Sequence, residues 1–241
     1  MAAPQGTDDP DRLDPTDPNN ETLEVCEIFA SIQGEGGMSG WPCSFVRLAG
    51  CPLDCWYCDT AYAKAPGAPM KRAVIRDAVR GHGLPLVELT GGEPLGQPGA
   101  FALTTELADD GYDVMVETGG GVSVEGRDRR ARIILDVKTP GSGMAERQRF
   151  ENLDLLLPHD EIKFVICSRA DYEWARDLIA ARDLARRFRV HLSPVATGPS
   201  APAGLGIRAQ DLAKWILDDR LRVRLNLQLH TWIWGPGVRG V

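Results

Sequence analysis

From about residue 22 onward, short apolar runs alternate with stretches of helical spacing, and few folds accept that order. Leu23–Ile32 and Ser44–Leu48 read as early strands, and Lys71–Arg80 as a short helix. Leu86–Leu89 is an apolar run stopped by Thr90-Gly91-Gly92. Ala100–Asp110 has helical spacing, and Val114–Val116 follows as a strand ended by Gly119-Gly120-Gly121. Arg132–Val137 and Glu161–Cys167 read as strands. Asp171–Arg187 reads as one long helix capped by Asp171. Strand Arg189–Leu192, helix Ala209–Asp218 and strand Arg222–Leu229 complete the series. Near-continuous apolar strands separated by helices indicate a parallel sheet with crossover helices on its faces. Six or so β-α units fall short of the eight in a full barrel. The expected fold is therefore α/β, an incomplete TIM-like β/α barrel, with a doubly wound open sheet as the alternative. Both place the reactive site at the C-terminal ends of the strands.

Residues 1–21 are rich in Asp and Pro with little apolar content. Such a segment cannot offset its ordering entropy by burial, so a disordered extension is expected there. Residues 22–241 are expected to form one domain, a length sufficient to bury a core without disulfides. The net charge of -7 argues against a nucleic-acid or membrane-surface binder, which needs a basic face. No apolar run is long enough to span a bilayer, and the N-terminus has no secretory pattern. A cytoplasmic location is the expectation, where grouped thiols act as metal or redox ligands.

Three such thiols stand within eight residues, in Gly50-Cys51-Pro52-Leu53-Asp54-Cys55-Trp56-Tyr57-Cys58-Asp59-Thr60. Soft thiolates select zinc or iron–sulfur clusters. Structural zinc takes four protein ligands, and Cys26, Cys43 and Cys167 show no spacing that supplies a fourth. A [4Fe–4S] cluster on Cys51, Cys55 and Cys58 would leave one iron open. A zinc site completed by Asp54 or Asp59 remains the alternative.

The spacing Cys51-x-x-x-Cys55-x-x-Cys58, with an aromatic before the third Cys, resembles the signature of the radical S-adenosylmethionine (SAM) superfamily. Thr90-Gly91-Gly92-Glu93-Pro94 resembles its SAM-binding GGEP motif. Further segments resemble the 7-carboxy-7-deazaguanine synthase family. They are Phe29-Ala30-Ser31-Ile32-Gln33-Gly34-Glu35-Gly36, Phe45-Val46-Arg47-Leu48-Ala49-Gly50, Cys58-Asp59-Thr60, Glu117-Thr118-Gly119, 136–143 and 226–230. The resemblance runs from about Glu24 to Val241.

That resemblance implies an incomplete barrel, a [4Fe–4S] cluster, SAM and Mg2+. It implies conversion of 6-carboxy-5,6,7,8-tetrahydropterin to 7-carboxy-7-deazaguanine with loss of ammonia, a step of queuosine biosynthesis. It implies that Ile32, Gln33, Gly34, Glu35, Arg47, Thr90, His230 and Val241 meet the pterin substrate. Thr60 would ligate Mg2+. Gly92, Glu93, Glu117, Lys138 and the Ser193-Pro194-Val195-Ala196 turn would meet SAM. An electron donor such as flavodoxin and a homodimeric assembly are also implied. These side chains suit the task. Gln offers a donor and an acceptor, Glu accepts, and Arg grips a carboxylate with two parallel bonds. Two alternatives of other classes are a glycyl-radical-enzyme activase, which needs no pterin pocket, and a zinc-binding interaction module. His82, His159 and His191 are expected in structural or surface positions. The arginines from Arg182 to Arg189 are expected to form a solvated helix face.

Overall fold

The computed structural model describes residues 21–195, 204–235 and 237–241, so the expected disorder of 1–21 falls almost wholly outside the described residues. Nine strands form one sheet: β1 (Thr22–Ile32), β2 (Pro42–Leu48), β3 (Ala68–Lys71), β4 (Leu86–Gly91), β5 (Asp113–Thr118), β6 (Arg132–Asp136), β7 (Glu161–Ile166), β8 (Arg189–Pro194) and β9 (Arg224–Leu225). The sheet order is β3-β1-β2-β4-β5-β6-β7-β8-β9. Every pair from β2 to β9 is parallel, while β1 pairs antiparallel with β2 and β3. The sheet stays open, as a partial barrel does. Helices α1 (Arg72–His82), α2 (Gly99–Asp109), α3 (Asn152–Leu155), α4 (Arg169–Ala181), α5 (Leu184–Arg187), α6 (Ala209–Asp218) and α7 (Leu229–Trp234) complete the chain. No helix among the described residues is long and apolar enough to cross a membrane.

Successive side chains of a strand point to opposite faces. One face here is uniformly apolar and packs on the helices: Val46 and Leu48, Val87 and Leu89, Val114 and Val116, Ile133 and Leu135, Ile162, Phe164 and Ile166, Val190 and Leu192 all join one buried core with Ile75, Leu103, Tyr172, Ile179 and Leu212. The opposite face starts apolar, where Cys43, Phe45, Leu86, Met115 and Ile134 form a smaller cluster with Phe29 and Met38. Towards the C-terminal ends of the strands this face turns polar, with Arg47, Thr90, Glu117, Asp136, Lys163 and Ser193. The registers Arg47↔Thr90, Asp136↔Lys163 and Val165↔Ser193 set these residues at one level.

Three boundaries differ from the sequence expectation. The helix expected over Asp171–Arg187 is two helices, because Asp183 takes a left-handed conformation (φ 51°) between them. Its cap is Ser168, whose hydroxyl accepts from the Asp171 amide at 3.2 Å. Asp171 instead accepts from the amides of Gly141 at 2.8 Å and Cys167 at 3.0 Å, tying the 140–142 turn to the end of β7. The strand expected over Arg222–Leu229 shrinks to Arg224–Leu225, and the chain then enters α7. Ser168→Ala is expected to lower stability by about 1 kcal/mol through loss of the cap, measured by urea unfolding.

The arginines from Arg182 to Arg189 are exposed, as a solvated face requires, and several hold carboxylate partners there. Arg182 meets Asp154, Arg186 meets Asp183, and Arg189 meets the buried Glu161.

Candidate active site

The antiparallel β1–β2 hairpin delivers Gln33 and Glu35. Its loop closes through Gln33 N–H to Trp41 O and Gly40 N–H to Gln33 O, both 2.8 Å. The loop is then pinned from across the barrel. Glu161 accepts from the Gly37 amide at 2.7 Å, and Asn226 accepts from the Gly36 amide at 2.9 Å. Glu161 is itself held by His191 Nε2 at 2.7 Å, so the buried His191 has a structural role. Gln33 donates to Glu88, and Glu35 accepts from Gln228 at 3.1 Å.

The cluster loop follows β2 and is bound to the turn after β4. Gly92 N–H donates to Leu48 O at 3.0 Å, and Glu93 N–H donates to Gly50 O at 2.7 Å. The backbones approach so closely that a Cβ on Gly92 would overlap the Gly50 carbonyl and lie 3.0 Å from the Cys51 Cβ. Only glycine fits there. Cys51, Cys55 and Cys58 are free thiols and line one cavity of about 320 Å³. Burial raises the thiol pKa of Cys51 and Cys55, with the neighbouring cysteines adding to the rise. The three thiols share this cavity wall, and soft thiolates are the ligands that an iron–sulfur cluster takes.

The same cavity collects most of the residues singled out from the sequence. Ile32, Gln33, Gly34, Glu35, Arg47, Thr60, Thr90, Gly92, Glu117, Lys138, Ser193, Pro194, Val195, His230 and Val241 all line it. Thr60 stands at the start of a 3-10 turn, yet its hydroxyl makes no capping bond; it lies 3.8 Å from Cys58 Sγ. His230 reaches the wall from α7, which the Leu229 amide ties to Gly34 O at 2.9 Å. Ala196 lies outside the described residues. Glu93 is placed behind the wall rather than on it. Its buried carboxylate accepts from Thr118 Oγ1 at 2.8 Å and from the amides of Gly119 at 2.9 Å and Leu95 at 3.1 Å, so it shapes the turn after β5.

Sequence inspection missed the charges between these groups. Lys163 is buried, with Nζ 2.5 Å from Glu35 Oε2 and 2.7 Å from Glu117 Oε1. Asp136 holds Lys138 Nζ at 2.8 Å, and Glu27 holds Arg47 Nε at 2.8 Å. Tyr57 and Tyr62 also line the cavity. The available signal was a charge inside an otherwise apolar, doubly buried strand, as at Glu88 and Lys163. Alternation turns such a residue inward.

This packing splits the carboxylates. Burial opposes ionisation of Glu35, but the Lys163 ammonium and the Gln228 amide more than offset it and hold its pKa at about 2. Glu88 goes the other way: burial, then Glu117 and Glu35, push its pKa well up. Its folded pKa is raised above the ordinary 4.5, so stability from the neutral form is present below that value and is lost as pH rises beyond it. Glu88→Gln is therefore expected to raise the melting temperature, by an amount that grows with pH above about 4.5, measured by thermal unfolding across pH.

Residues 46–187 match the Radical SAM superfamily. The chain is 45% identical to 7-carboxy-7-deazaguanine synthase of Chlorobaculum tepidum, across 91% of this chain and 97% of that one. This chain belongs to the 7-carboxy-7-deazaguanine synthase family of radical SAM enzymes. A second member, from Koribacter versatilis, is 42% identical across 91% of this chain and 100% of that one. The crystal structure of QueE from Escherichia coli has the same fold, with a TM-score of 0.66 at 20% identity, over 87% of this chain and 95% of that one. Membership makes the chain an enzyme of SAM-dependent radical chemistry. It sets aside the zinc-module and activase alternatives.

Proposed function

We propose that this enzyme converts 6-carboxy-5,6,7,8-tetrahydropterin to 7-carboxy-7-deazaguanine, with loss of ammonia and with Mg2+ assistance, in queuosine biosynthesis. One observation carries the proposal: hydrogen-bond acceptors and donors line the same cavity as a three-cysteine loop. Cys51, Cys55 and Cys58 would hold a [4Fe–4S] cluster, and Gly92, Glu117, Lys138 and Ser193–Val195 would flank SAM. When bound, the reduced cluster and SAM supply a carbon-centred radical able to abstract hydrogen.

The chain's own groups do the recognition. Glu35, held ionised by Lys163, is an acceptor only and suits an amino or ring N–H edge. Gln33 presents a donor and an acceptor beside it, and burial shifts the Glu88 carboxyl towards the form that can donate as well as accept. Arg47 keeps its terminal nitrogens for a carboxylate while Nε is engaged by Glu27. Ile32 and Gly34 shape the floor around Gln33, and Thr90, His230 and Val241 complete the wall. Thr60 suits Mg2+, a hard cation that takes oxygen ligands and keeps several waters, because its hydroxyl caps no helix. Family resemblance supports three further elements of the proposal: a one-electron donor such as flavodoxin, a homodimer and a cytoplasmic location.

The deciding experiment is an anaerobic assay of the reconstituted enzyme with the tetrahydropterin acid, SAM, Mg2+ and a reductant. The expected product is the deazapurine acid; its absence under these conditions would overturn the proposal.

A further inference from the structure

Beyond α7 the described residues, Gly235 and 237–241, form a short strap beside the cavity. Gly235, Gly237, Gly240 and Val241 line the site, and the three glycines sit at φ 92°, 75° and 68°. That conformation is cheap only for glycine, so the path of the strap is written into its sequence. Arg239 leaves the strap and stacks on the Tyr62 ring, its guanidinium carbon 3.7 Å from the ring centroid. Tyr62 in turn donates its hydroxyl to Glu27 Oε1 at 2.7 Å. The same Glu27 oxygen accepts from Arg47 Nε at 2.8 Å, and the Arg47 guanidinium carbon lies 6.0 Å from the Tyr62 centroid. One oxygen thus fixes both the phenol under the strap and the guanidinium facing the cavity. Burial and the Glu27 bond push the Tyr62 hydroxyl up to about 12, so it remains a donor at working pH.

We propose that Glu27, Tyr62 and Arg239 form a positioning relay, coupling closure of the C-terminal strap to the orientation of Arg47. It rests on the reading above in which Arg47 grips the substrate carboxylate. With the strap down, Arg239 covers Tyr62, Tyr62 holds Glu27, and Glu27 aims the free nitrogens of Arg47 into the cavity. With the strap lifted, the Tyr62 ring is wet and the Glu27 contact competes with water. A carboxylate-bearing pterin then finds a poorly oriented anion site. The relay selects for the acid without touching the ring-recognition groups Gln33 and Glu35.

The test compares reconstituted wild type with R239Q, R239K, Y62F, Y62L and Y62L/R239Q. Strap closure is read by carboxypeptidase A release of the terminal valine. Carboxylate recognition is read by KM against kcat for the tetrahydropterin acid, and by calorimetric binding of 6-carboxypterin and of pterin. R239Q is expected to accelerate valine release and to raise KM roughly 3- to 30-fold, the range of a cation–π pair. R239K should recover much of this, kcat should change little, and pterin without the carboxylate should bind as before. Y62F should raise KM while leaving the strap clasped, and the double variant should be no worse than Y62L. Additive losses, equal losses with pterin, or a freed strap with unchanged KM would each overturn the relay. If wild type neither binds nor converts the tetrahydropterin acid, the substrate reading fails. The relay is then judged on valine release, and unchanged release in R239Q and Y62L overturns it.

Discussion

Lys163→Met is expected to destabilise the fold by roughly 3–5 kcal/mol, the effect of removing one partner from a buried ion cluster. The ammonium lies between Glu35 and Glu117, and all three side chains are largely shielded from water. Methionine keeps the volume of the lysine stem, so packing changes little and the loss is electrostatic. Without the cation, burial dominates the Glu35 carboxyl, and a group now held ionised at about 2 must take up a proton or remain an unpaired buried charge. The sign follows. Glu35 now contributes stability that is present above the ordinary carboxylate value and lost as pH falls towards 2; in the variant that contribution disappears, and stability at neutral pH falls most. Urea unfolding at pH 7 and pH 4 measures this. Pairing the change with Glu35→Gln should restore part of the loss, because one stranded carboxylate is gone. A Lys163→Met protein as stable as wild type at pH 7 would show that the cluster is not electrostatically coupled.

Gly92→Ala is the second large effect. The added methyl would meet the Gly50 carbonyl group and Cys51 Cβ, which are backbone or backbone-anchored atoms that no rotamer change can move aside. The turn after β4 and the cysteine loop after β2 must therefore separate. Overpacking of this kind lowers stability by about 1–3 kcal/mol. Its functional consequence is larger, because both partners of the chemistry are displaced together: about 1 Å of misplacement can lower a rate by roughly 100-fold. Reconstituted Gly92→Ala is expected to hold less iron and to lose at least about 100-fold in SAM-dependent turnover. Gly96→Ala is the control. A Cβ at Gly96 meets only Glu93 Cγ, at 3.8 Å, so iron content and turnover should stay near wild type.

The features that the sequence made legible are local ones. The cysteine spacing, the Thr90–Pro94 turn and the Gln33–Glu35 segment each act within a few residues, so chain order suffices to bring their parts together. Helix Ala209–Asp218 has the expected bounds, because an amphipathic face is written in consecutive residues. The failures are equally specific. Asp183 breaks a helix whose pattern looked continuous, since nothing in the pattern reports a left-handed residue. Arg222–Leu229 was apolar enough for a strand, but at the sheet edge it keeps ladder register with β8 only at Arg224 and Leu225, and the Asn226 amide then closes on Leu192 O. Asp171 looked like a cap because Asp so often caps, while Ser168 stood three residues earlier.

The polar wall belongs to neither group. Its members come from the loop after β1, from strands β2, β4, β5, β6, β7 and β8, and from α7, so groups that touch, such as Glu35 and Lys163, lie far apart in sequence. Sequence alone set which residues turn inward, through strand alternation, and it fixed the three thiols that a cluster would need. It could not set the level at which Glu88, Glu117 and Lys163 meet, because that depends on the register of parallel strands joined by long crossovers. The tertiary structure decided it, by lowering the dielectric around groups that the chain order keeps apart. Burial then pushed the Glu88 carboxyl towards its neutral form, while a lysine kept Glu35 ionised.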